Sequence, residues 1–156
     1  MYATLEKAGP DGGATEQYRL SQIGGPANLL LRLWAEEPAD GGYLVEDDKA
    51  LTEAGSAPTV ASVVTFAAPV SEAVKNAGAR ADRERIGPAM AGHPGAVRML
   101  SLWEPRDRRQ VIVVLATSME SLEEGGRRIS ELPLLPGEDV ALLPGPDHVE
   151  LFRVVS

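Results

Sequence analysis

The sequence predicts an α+β fold whose second half runs strand, helix, strand, strand, helix, strand. Three observations predict it. "QVIVVLAT" (110–117) is an uncharged run with apolar side chains facing both ways, which reads as a strand covered on both faces. Ser71 and Ser118 each head a stretch with a helical apolar stripe, as N-cap residues do. Three further runs flank these helices and read as strands, 59–70, rich in Val, Thr and Phe, with 96–103 and 148–155. That order is the split βαβ arrangement of ferredoxin-like folds.

The elements follow in chain order. Residues 1–48 read as a first half made mostly of strands. "MYATLEKAG" starts with β-type residues and "PDGG" (10–13) turns the chain. Residues 16–23 alternate loosely as a strand, "NLLLRLWAE" (28–36) is a buried strand, and "YLVEDD" (43–48) is a short one. Residues 49–58, small, polar and ended by Pro58, are the linker. The second half is 59–156. After the strand at 59–70, Ser71 caps a helix with Glu72 in its first turn, where the helix dipole favours a carboxylate. Gly87-Pro88 should break or kink that helix. "HPG" (93–95) turns into the strand at 96–103, "EPRDRR" makes a charged hairpin loop, and the strand at 110–117 follows. Ser118 caps the second helix, to about Ile129, and 148–155 is the last strand.

Between that helix and strand the chain repeats itself. Leu134-Leu135-Pro136-Gly137 recurs as Leu142-Leu143-Pro144-Gly145. Each Pro presets φ and each Gly accepts φ > 0, so both copies read as tight turns anchored by their leucines. "EDVALL" between them is expected to form one helical turn capped by Glu138 or Asp139. A phosphate cradle fits poorly, because Glu138, Asp139 and Asp147 would repel the ligand.

Composition excludes several functions. Of 156 residues 44% are apolar, which supplies a core. A net charge of −8 argues against nucleic acid and against an anionic membrane surface. With no cysteine there is no disulfide, thiolate site or Cys nucleophile, and two histidines far apart make no His-rich metal site. No nucleotide-binding motif occurs, so the expectation is no metal and no cofactor. The N-terminus carries no signal-like apolar run and nothing approaches membrane-spanning length, so the expected location is cytoplasmic.

Alternation on the strand at 28–34 places Asn28, Leu30, Arg32 and Trp34 on one face and Leu29, Leu31 and Leu33 on the other. Arg32 and Trp34 are candidates to line a polar-tipped pocket; the plainer reading is a Trp packed under a snorkelling Arg. His93 has a general base's intrinsic pKa, and its plainer reading is an exposed turn residue. Arg98 either faces solvent, pairs with Glu150 or enters the interior. Trp103 is a core or rim residue.

The second half resembles the dimeric α/β-barrel superfamily, which includes the antibiotic-biosynthesis-monooxygenase-like proteins. The resemblance is carried by "HPGAVRMLSLW", by "VVLATSMESLEEG" with Ser118-Met119-Glu120 after its strand, and by "VELFRVV". A weaker copy lies in the first half, where "LLLRLWAEEPADGG" looks like "VVLATSMESLEEGG" and Trp34 resembles the Trp at the end of the family's third strand. The first half lacks that copy's first strand and helix, so the repeat is degenerate. The resemblance implies a small-molecule-binding barrel, and an enzyme of the cofactor-independent monooxygenase type acting on aromatic or polyketide-type compounds. Asn28, Arg32, Trp34, Arg98 and Trp103 would then contact a small apolar or aromatic ligand, with His93 and Arg32 as catalytic candidates. The alternative is a non-catalytic ligand-binding or structural module. Two helices cover only one face of a four-stranded sheet, so a homodimer through the sheet faces is expected to cover the other, with Arg32 and Trp34 lining the space between; the alternative is that the first-half sheet packs on the second within one chain.

Overall fold

Val111, Val113 and Leu115 alternate with Ile112 and Val114, and both sets are covered. The first set joins a core formed with Leu20, Leu31, Leu33, Leu100, Leu102 and Phe152, each at most 2% exposed. The second set packs with Leu51, Met90, Met99 and Ile129 under the helices. A strand buried on both faces is therefore flanked by two separate cores. At roughly 1.5–3 kcal/mol for each large apolar side chain, these cores are the main source of stability.

In the computed structural model of the chain, residues 1–7, 12–52 and 56–155 are described. The described strands are β1 (Tyr2–Glu6), β2 (Glu16–Gln22), β3 (Asn28–Trp34), β4 (Tyr43–Ala50), β5 (Val60–Thr65), β6 (Ala96–Glu104), β7 (Arg109–Ala116) and β8 (His148–Val155). All their pairings are antiparallel, and they close a ring in the order β1-β3-β2-β8-β5-β7-β6-β4. The seam between β1 and β4 is short, with Tyr2 opposite Leu44 and Ala3 opposite Tyr43.

Helix α1 (Glu72–Ala81) starts where Ser71 accepts the Val74 N–H at 3.2 Å. It runs into a π-helical turn (Asp82–Ile86) and a short α2 (Gly87–Met90). Helix α3 (Met119–Glu131) starts where Ser118 accepts the Ser121 N–H at 3.1 Å. Asp139, one of the two expected caps, accepts the Ala141 N–H at 2.9 Å and caps a single 3₁₀ turn, Val140–Leu142.

Several expectations change. At Gly87-Pro88 the expected break or kink takes the form of a π turn between α1 and α2. The π turn widens the chain just before Pro88, which falls in the first turn of α2. The strand expected at 59–70 stops at Thr65, and β4 runs on to Ala50, into the expected linker. Leu51, in that linker, is 6% exposed and belongs to the helix-side core; residues 53–55 lie outside the described residues. So do Pro10 and Asp11 of the expected turn, while Gly12 and Gly13 have positive φ. The first half contributes four strands and, among its described residues, no helix. These strands cover the inner face of the second-half sheet. The sheet faces that a homodimer was expected to bury are thus buried within one chain.

Candidate functional site

The ring's interior holds the main core. Leu31, Leu33, Leu100, Leu102, Val113, Leu115 and Phe152 meet inside it. One mouth is crossed by a charged network. Glu16, Tyr18, Asp48 and Arg98 are in register with Leu33, Leu31, Leu100 and Leu115, and so share the inward face. Arg98 on β6 donates to Asp48 on neighbouring β4 at 2.8 and 2.7 Å. It also reaches the opposite wall, donating to Glu16 at 2.7 and 3.3 Å and to the Tyr18 hydroxyl at 3.2 Å. Asp48, with Glu16 and Tyr18, holds the guanidinium charge more firmly than usual. Arg98 thus enters the interior, as one reading of the sequence had it, but its carboxylate partners are Asp48 and Glu16 and not Glu150.

The remaining site candidates do not converge on this interior. Arg32 and Trp34 lie on the outer face of β3, because Leu29, Leu31 and Leu33 take the inner one. Arg32 is 2% exposed and donates to Gln17 at 2.9 Å, with Glu6 at 3.9 Å. Trp34 donates its indole N–H to Thr4 at 3.1 Å. The structure brings these two together, but as part of the outer wall and not as the lining of a space between sheets. Asn28 is exposed at the start of β3. Trp103 also faces outward, since its neighbour Leu102 is inside. Lys75 lies 4.5 Å and Arg108 5.1 Å from the ring centre. His93 is buried, not an exposed turn residue. Its Nε2 lies 2.8 Å from the Ser121 carbonyl, which can only accept, so that nitrogen carries the proton and is not free to act as a base. His148 is exposed beside Asp147.

A second polar group lies where β4 meets the helices. Lys49 Nζ is 2.8 Å from both Asp47 and Asp82. Burial pushes the Asp82 carboxyl above its ordinary value, and the Asp47 carboxylate adds to this against the pull of Lys49. Lys49 also stands at the π turn, 2.6 Å from where a Gly87 β-carbon would sit. This group pins the turn. Among the described residues no cluster of three or more His, Asp or Glu side chains is placed to hold a metal ion.

An open cleft lies on the helix side. It measures about 340 Å³ and runs between one face of α1 and the duplicated turn. Ala73, Asn76, Ala77 and Arg80 line one side; Gly137, Glu138, Asp139, Leu142 and Leu143 line the other. Both copies of the turn contribute, Gly137 from the first and Leu142-Leu143 from the second. The turn is tied down by a bridge from Arg85 to Glu138 at 2.8 Å, with side chains 10% and 2% exposed. Arg85, and then the Leu135 N–H, hold the Glu138 carboxyl below its usual value. Arg80 donates to the Pro136 carbonyl at 2.9 Å. Sequence reasoning singled out the turn but not its opposite wall. The available signal was the run of small residues at Ala73 and Ala77, one helical turn apart, which leaves room beside the helix.

The fold is an antiparallel ring of eight described strands with helices packed outside it. No protein-family model matches the chain, and no curated protein does. Solved structures do. It is similar to a major regulator of staphylococcal pathogenesis, at 6% identity and TM-score 0.63, over 90% of this chain and 85% of the other. It is similar to a Listeria monocytogenes ferredoxin-fold protein related to antibiotic biosynthesis monooxygenases, at 11% identity and TM-score 0.56, over 99% and 93%. A heme-degrading enzyme from Listeria monocytogenes is similar at 12% identity and TM-score 0.55, over 92% and 86%. At such identities the shared property is the fold. No described helix is long and apolar enough to cross a membrane.

Proposed function

We propose that the chain is a non-catalytic small-molecule-binding protein on a monooxygenase-like scaffold, with its ligand seat in the cleft between α1 and residues 137–143. One observation carries this reading: a cleft of about 340 Å³ stands open between α1 and the duplicated turn, apart from the packed core of the ring. That volume falls within the range of small-molecule sites, and Ala, Leu and a few polar groups are the lining such sites use. The cleft's ionisable side chains are already engaged. Arg80 pairs with Glu84 at 2.7 Å, Glu138 with Arg85, and Asp139 caps the 3₁₀ turn. A general base poised over a substrate is missing from that set, which favours binding over catalysis.

The test is a screen of small apolar and aromatic compounds by ¹H–¹⁵N NMR. The expected result is shifts confined to residues 73–80 and 137–143. Shifts along the inner faces of β6 and β7 would reject the cleft.

The scaffold favours a second reading, an enzyme oxidising aromatic compounds with oxygen and no cofactor. Oxygen uptake with a panel of reduced aromatics decides between the two. Uptake dependent on protein concentration would support the enzyme. A homodimer would use an outer surface, since the inner faces are occupied, and sedimentation equilibrium around the 16.5 kDa monomer mass reports it.

A further inference from the structure

The cleft's two walls differ in what they leave unsatisfied. Leu142 and Leu143 on one side, with Ala73 and Ala77 on the other, form apolar flanks. Between them stand two polar groups of α1, one turn apart, Asn76 and Arg80. Arg80 uses Nε for Glu84 at 2.7 Å and Nη2 for the Pro136 carbonyl at 2.9 Å. Its Nη1 lies 3.3 Å from where a β-carbon on Gly137 would be, so the glycine leaves it room at the cleft wall. Asn76 is exposed and offers an amide, both donor and acceptor. The duplicated turn thus has a use beyond returning the chain to the sheet: its first glycine opens the cleft to a guanidinium N–H, and its second leucine pair supplies the apolar flank.

The charges decide what kind of polar group fits. Arg80 is balanced by Glu84, and Arg85 by Glu138. Asp139 remains, so the cleft carries a small negative excess although an arginine lines it. An anionic ligand would face Asp139 and compete with Glu84 for a cation already paired. A neutral carbonyl oxygen accepts from Arg80 without either penalty.

Resting on the reading of the cleft as the ligand seat, we infer that the cleft takes neutral molecules with a flat apolar body and an amide-like edge, the carbonyl oxygen meeting Arg80 and the donor meeting Asn76. Carboxylates are selected against.

Three probes with the same ring body test this: 1-naphthamide, 1-naphthoate and naphthalene, titrated against the full chain by NMR. The expected order is 1-naphthamide at least tenfold tighter than either of the others. Asn76→Ala changes an exposed helix residue with no packing role and should bring 1-naphthamide to within a few-fold of naphthalene. Ala77→Phe should fill the cleft and abolish binding of all three while thermal melting shows the fold intact. Binding of all three probes with similar affinity, still lost in Ala77→Phe, would overturn the ligand class and leave the seat standing. Tightest binding by 1-naphthoate would do the same. Binding by none of them, or binding untouched by Ala77→Phe, would overturn the seat itself.

Discussion

Gly95 stands where the "HPG" turn enters β6, with φ near +81°. A β-carbon there would lie 2.6 Å from the Ser121 hydroxyl and 2.9 Å from that of Thr117. The turn approaches the start of α3 so closely because Ser121 donates to the Pro94 carbonyl at 2.6 Å and accommodates His93 through its own carbonyl. Gly95→Ala adds backbone strain to overlap with fixed groups, and should cost about 2–4 kcal/mol. Gly126 is the contrasting case. It is exposed within α3, and nothing lies within 4 Å of its would-be β-carbon. Gly126→Ala should stabilise by roughly 0.5–1 kcal/mol through helix propensity. Urea denaturation of both variants checks the pair, and equal effects would remove the argument for a required glycine at 95.

Strand β7 and the duplicated turn show the element scale. Val113 has no exposed surface and sits between Val63 and Leu100 on the neighbouring strands. An aspartate there leaves an uncompensated charge in the core, at a cost of several kcal/mol, comparable to the whole stability of a domain. Val113→Asp should give no soluble folded protein, and a soluble variant with near-parental melting would contradict the assignment. The turn is held by Arg85 and Glu138. The Glu138 pKa is depressed in the folded state, so its stabilisation is complete above the ordinary carboxylate value and is lost as pH falls through the lower folded value. Melting temperature followed from pH 6 downward should therefore fall more steeply for the parent chain than for Glu138→Gln. Parallel acid limbs would show that the bridge does not hold the turn.

At the scale of the molecule, the main core is shared by the two halves. Leu20, Leu31 and Leu33 come from the first and Leu100, Leu102, Leu115 and Phe152 from the second. Neither half can keep its inner face dry alone, so the chain should unfold in one cooperative step. Trp34 reports on the first half and Trp103 on the second. In Trp103→Phe and Trp34→Phe, the remaining fluorescence should follow the same transition as circular dichroism within each variant. Arg98 is the polar tie across this core. Arg98→Met leaves the Glu16 and Asp48 carboxylates without it. With side chains 46% and 24% exposed they stay partly hydrated, and the expected loss is about 1–2 kcal/mol in a still cooperative transition. Separate transitions for the two tryptophans would show two independent units.

The parts of the fold legible in the sequence are those set by local chemistry. Ser71 and Ser118 cap helices because a hydroxyl before an amphipathic run satisfies free N–H groups wherever it occurs. The run at 110–117 had to be covered on both faces, and the alternation on β3 correctly opposed Arg32 and Trp34 to the leucines. Alternation alone does not say which face is the inside. That depends on what the opposite wall presents: the second half offers Val63, Leu100, Leu102, Val113 and Phe152, against which the leucines of β3 pack, which turns Arg32 and Trp34 outward. The same holds for Arg98, whose partners Glu16 and Asp48 lie 82 and 50 residues away in sequence and meet it only because the ring closes. The cleft follows the same logic. Its turn is visible as a repeat, but its volume exists only where α1 passes the turn with alanines facing it, a distance between elements that no local pattern encodes.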